Sequence, residues 1–133
     1  MTELNIHTPA GMLADSDIST KQFTFVKLNT TARQVAAATV EGERCFGVLQ
    51  NKPDAANDPA EVRTHGTTKI KAGGTVTAGD YVGTDSAGKA ITMTDGVTGQ
   101  DVGQYILGEA LTGGASGEII EILLRDPRRI GSV

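Results

Sequence analysis

Apolar residues in this chain come in short runs that alternate with polar positions, and glycine, asparagine, aspartate or proline ends nearly every run. FTFVKL (23–28) is the first strand-like run and stops at Asn29. RQVAAATV (33–40) is weaker, since its alanines also fit a helical turn; RCFGVLQ (44–50) follows and closes at Asn51-Lys52-Pro53. PDAANDPA (53–60) holds two of the four prolines and reads as an exposed loop. EVRTHGTTKIK (61–71) predicts one long strand with a bulge at Gly66. Further strands are predicted over 81–84, 90–94, 105–111 and 118–124, each separated by a glycine-containing turn. Short strands at regular spacing predict an all-β domain, a small sandwich or barrel of antiparallel strands. No stretch of ten residues carries a convincing helical stripe.

Residues 1–22 have a different texture. Leu4, Ile6, Met12, Leu13 and Ile18 are scattered among proline, glycine and aspartate without period 2 or 3.6. Such a segment either frays or orders on a neighbour, and five apolar side chains are many for a free tail. The predicted organisation is therefore an extended N-terminal arm (1–22), a β-rich domain (23–124) and a basic C-terminal tail (125–133).

Composition narrows the class. The 133 residues suit one domain, and aromatic residues are only 4%, so the core is aliphatic and thin. The 17 glycines match the many corners the turns require. No apolar run approaches the ~20 residues of a membrane helix, and the N-terminus lacks the features of a secretion signal. Cys45 stands alone, which excludes an intrachain disulfide and fits a reducing, cytosolic site of synthesis. The net charge of -4 argues against a dedicated nucleic-acid binder.

Reactive constellations are scarce. Cys45 and His65 form the one conceivable nucleophile–base pair, but Cys45 sits in a run that reads as a buried strand, where a lone cysteine acts as a small hydrophobe. Asp80, Asp85, Asp95 and Asp101 lack the spacing of a calcium loop and read as turn residues. Neither AGGTVTAGD nor TGGASGE is a phosphate-binding loop. No catalytic residue, cofactor or metal ligand is assigned.

Charge is segregated. Residues 62–71 carry Arg63, Lys69 and Lys71 and no acid, whereas 72–124 carry seven acids against Lys89 alone. Arg125, Arg128 and Arg129 make the tail basic again. In a strand, Arg63, His65, Thr67, Lys69 and Lys71 share one face. That face is either solvated or a stripe that meets an acidic partner.

From Gly47 onward the motifs carry a family pattern. GVLQNKP (47–53) leads to EVRTHGTTKIKAGGTVTAGDYVGTDSAGKAI (61–91), then YILGEAL (105–111) and GEIIEILL (117–124). Their order and spacing over residues 23–124 resemble the capsid decoration, or cement, proteins of tailed bacteriophages. The resemblance implies a non-enzymatic virion protein, a homotrimer or another small oligomer on the outer surface of the expanded head. There it would bind the major capsid protein and tie neighbouring subunits together against packaged DNA, without touching nucleic acid or membrane. The expected contacts are Leu4, Ile6, Met12, Leu13 and Ile18 of the arm, together with Arg63, Lys69, Lys71, Arg128 and Arg129. The alternative is a head-fibre or tail structural protein. A lipoyl or biotinyl carrier fits less well, because Lys89 follows Gly88 at a turn but lacks the acceptor motif.

Overall fold

The computed structural model describes residues 7–94 and 101–131. Over this range the chain forms ten strands and one short 3-10 turn at Ser19–Lys21. The all-β expectation is met: two five-stranded sheets, with antiparallel pairing between all but one neighbouring pair. The first sheet contains β1 (Leu13–Ala14), β2 (Phe25–Leu28), β3 (Gln34–Ala37), β4 (Gly47–Leu49) and β5 (Val62–Arg63), ordered β1-β3-β2-β4-β5. The second contains β6 (Gly66–Lys71), β7 (Tyr81–Thr84), β8 (Ala90–Thr92), β9 (Tyr105–Ala110) and β10 (Ile119–Arg129), ordered β6-β10-β9-β7-β8.

The predicted strand over 61–71 is two strands. Arg63 ends β5 in the first sheet and Gly66 opens β6 in the second, so this segment carries the chain across. Gly66 has φ +92, a left-handed conformation that a side chain would strain. The period-2 pattern nevertheless survives the crossing. Val62, Thr64, Gly66, Thr68 and Ile70 are buried, while the intervening residues are exposed or half-buried. Opposite this strand, Gly47 is needed for a different reason: a Cβ there would lie 2.3 Å from the carbonyl oxygen of Arg63.

Each sheet curls until its edges meet. Residues 7–15 run along the first sheet as a strap. The backbone N–H of His7 donates to His65 at 3.1 Å and that of Ala60 to Met12 at 2.9 Å. Leu13–Ala14 then pairs in parallel with β3. The guanidinium of Arg33 fastens the strap, with Nε donating to the Gly11 carbonyl at 2.9 Å and Nη2 to that of Ala10. In the second sheet, Ala72 bridges to Ala90 and the Gly73 N–H donates to Ala90 at 2.7 Å. Both halves are thus barrel-like.

Packing follows from this closure. Met12, Ala14, Ile18, Val26, Val35, Leu49, Ala60 and Val62 form one buried cluster within the first half. Ile70, Val82, Leu107, Ile120, Ile122 and Leu124 form the centre of a larger cluster in the second half. Phe25 and Val48, from the opposite face of the first sheet, complete that larger cluster. Burying each such apolar side chain contributes about 1.5–3 kcal/mol, so Phe25 and Val48 weld the halves together.

Two boundaries differ from those read in the sequence. The segment 12–21 does not hang from the domain, because Met12 and Ile18 are 7% and 4% exposed in the first core. Nor does a separate tail begin at 125. The last strand runs on to Arg129, shifting register against β9 between Leu124 and Arg128 so that Pro127 sits in the irregularity. Proline lacks an N–H for the ladder, and an irregular strand is where it is tolerated. Ile130 then buries completely against Met93 and Ile106.

Candidate functional site

A groove of about 640 Å³ lies where the two halves meet. One wall is the end of β2 with the segment leading into β4, namely Lys27, Leu28 and Arg44 to Phe46. The other is the crossing at Thr64 and His65 with the irregular part of β10, Arg125 to Pro127. His7 and Pro9 of the strap form its rim. A neighbouring depression shares His7, His65, Arg125 and Asp126.

The charged groups here are largely spoken for. His65 Nε2 lies 2.7 Å from Asp126 Oδ1, and the Thr64 hydroxyl lies 3.2 Å from its Nδ1. The His7 ring stands edge-on to it at 6.1 Å. Arg125 donates to Glu109 at 2.5 Å across β9 and β10. Glu43 accepts the backbone N–H groups of Thr39 and Val40 at 2.7 and 2.8 Å, and the Lys27 ammonium lies 3.2 Å away. Burial alone would raise the Glu43 pKa, but these hydrogen bonds and the Lys27 charge together bring it below the ordinary 4.5. Arg44 is exposed and forms no ion pair among the described residues.

Cys45 and His65 both line the groove, as a nucleophile–base reading requires. The chemistry is wrong for it. Burial and then the Glu43 charge push the Cys45 thiol up to about 12, so it stays protonated at neutral pH and weakly nucleophilic. Among the described residues no cluster of three or more histidine, cysteine or carboxylate side chains is placed to hold a metal ion. No helix there is long and apolar enough to cross a membrane.

The residues expected to make contacts are dispersed. Leu4 and Ile6 lie outside the described residues. Met12 and Ile18 are interior side chains of the first core, with Leu13 half-buried beside them. Arg63 turns back on its own chain, Nη1 donating to the Thr67 carbonyl at 3.0 Å. Lys69 is exposed and Lys71 half-buried on β6, in the other sheet from Arg63. Arg128 and Arg129 are exposed on β10, with the Arg128 guanidinium 5.7 Å from the centre of the Tyr81 ring. Sequence reasoning missed the groove because His7, Arg44, His65 and Asp126 come together only through the strap, the crossing and the β10 irregularity. No local spacing signals that meeting.

Comparison with known proteins gives these surfaces a context. No curated protein sequence matches the chain. Among solved structures, the N base of head fiber gp8.5 from bacteriophage phi29 superposes with a TM-score of 0.66 at 15% identity, covering 90% of this chain and 94% of that one. At that identity the likeness is one of fold. The family model for phage cement protein matches residues 14–125, from the second residue of β1 into β10 and so across both halves. The chain belongs to the phage cement protein family.

Proposed function

We propose that this protein is a structural component of the virion that binds the outside of the expanded phage head and ties neighbouring major capsid proteins together. The observation that carries this reading is the family match, which spans both closed halves of the fold instead of a fragment of one. The physical role is reinforcement. A protein that binds the expanded shell but not its precursor draws the equilibrium toward the expanded state by mass action. Repeated over a lattice, modest contacts make local opening under internal DNA pressure costly. In this reading the protein is made in the host cytoplasm, is not an enzyme, contacts neither nucleic acid nor membrane, and assembles as a homotrimer. Interfaces of standard size bury about 1,600 Å², which would add substantially to a thin core. Lys69, Lys71, Arg128 and Arg129, exposed or half-buried on the second sheet, are its contact candidates, together with Leu4 and Ile6.

A second reading, the base of a head fibre, draws on the fold likeness to the phi29 head-fiber base. One experiment separates the two. Purified protein is mixed with expanded and unexpanded heads, its mass in solution is measured, and its sites on the particle are imaged. Cement is expected to be trimeric, to decorate expanded heads alone and at many lattice positions, and to slow heat-induced DNA release. Occupancy under a projecting fibre favours the second reading. Decorated heads no more robust than bare ones would end the stabilising role.

A further inference from the structure

The groove between the halves contains an unfinished stretch of sheet. On one side, β2 pairs with β3 through Leu28, opposite Val35. On the other, β4 begins only at Gly47, opposite Val26. The Val26 carbonyl accepts the Phe46 N–H at 2.8 Å, which shows that even-numbered residues of β2 aim their backbone groups toward β4. Two residues later Leu28 aims the same way, and among the described residues no backbone group on that side pairs with its N–H or C=O. The Leu28 side chain is 55% exposed, and Phe46 and Pro127 offer further apolar surface in the groove.

The charges around this gap are unbalanced. Both lining carboxylates are engaged, Glu43 by two backbone N–H groups and Lys27, and Asp126 by His65. Among the described residues Arg44 has no ion-pair partner. The groove therefore offers an open strand position, an apolar lining and one unspent cation. We infer that it receives an extended, acidic segment of a partner protein, which pairs with the backbone of Leu28 and sets a carboxylate on Arg44. Strand addition supplies main-chain hydrogen bonds for affinity, and the cation selects the partner. This inference rests on the capsid-binding reading only in naming the partner, a loop of the head shell.

The test uses Arg44→Glu, Arg44→Lys and Leu28→Asp in the full chain, with thermal unfolding as the check on folding. On expanded heads, Arg44→Glu and Leu28→Asp should each weaken binding about tenfold or more, whereas Arg44→Lys keeps most of it and its salt dependence. In parallel, a ten-residue peptide alternating glutamate and valine is titrated into the wild-type protein and followed by amide NMR. Shifts centred on Leu28, Arg44 and Phe46, lost in Arg44→Glu, support the groove. Folded variants that bind heads like the wild type overturn it. If the wild-type protein ignores heads altogether, the capsid reading fails while the peptide titration still decides the groove: groove shifts support it and their absence overturns it.

Discussion

The two halves of this molecule solve one problem by unequal means. The second sheet is closed by its own strands, and its longest, β10, spans 11 residues and pairs with both β6 and β9. The first sheet has no strand longer than four residues and is closed by the strap from the chain's beginning. Its interior depends on Met12, Ala14 and Ile18, of which only Ala14 lies in a strand, the two-residue β1. The second half is thus built chiefly from β-ladders, whereas the first is finished by an irregular segment. Yet they share a core through Phe25 and Val48, so loosening one should be felt in the other.

This contrast can be broken in stages. Deleting residues 1–20 removes Met12, Ala14 and Ile18 from the first core, and should abolish cooperative unfolding because the loss rivals the whole stability of a small domain, about 5–15 kcal/mol. A truncated chain with a sharp thermal transition would show that the strap is dispensable. Ile122→Ala, in the middle of the second core, should cost about 3–5 kcal/mol while preserving one coincident transition by all probes. Separate transitions for the two halves would refute their coupling. Arg33→Gln should cost about 1–2 kcal/mol and speed amide exchange mainly at the strap residues bonded to the first sheet. The smallest effect concerns acid. The folded-state pKa of Glu43 lies below 4.5, so its contribution is present above that value and is lost as pH falls through the folded pKa. Glu43→Gln should flatten this loss by about 1 kcal/mol at most, read from urea midpoints against pH.

How much of this was legible in the sequence depends on the range of the interaction. Strands β2, β4 and β6 to β9 follow from alternation and turn residues, because those signals are local. The crossing at Gly66 kept its period while changing sheets, so alternation alone could not reveal the break. Pro127 and the arginines disguised the end of β10, whose pairing partners lie near Ile106. Met12 and Ile18 did announce a surface to be covered. That surface is the chain's own first sheet, a fact no local pattern encodes. Arg44 carries no signature at all; only the fold places it in the groove, without an ion-pair partner among the described residues.

The curling of both sheets has a consequence for behaviour in concentrated solution. A row of unpaired backbone groups on a sheet margin invites another molecule's margin, and growth by such docking ends in aggregates. Here the margins meet through Leu13 with Pro59 and Ala72 with Ala90, and Arg63 and Thr68 occupy the Thr67 and Lys69 carbonyls of β6. A chain made this way can be crowded without polymerising along its strands. The short opening at Leu28 lies instead within the groove, beside Arg44 to Phe46 and Arg125 to Pro127.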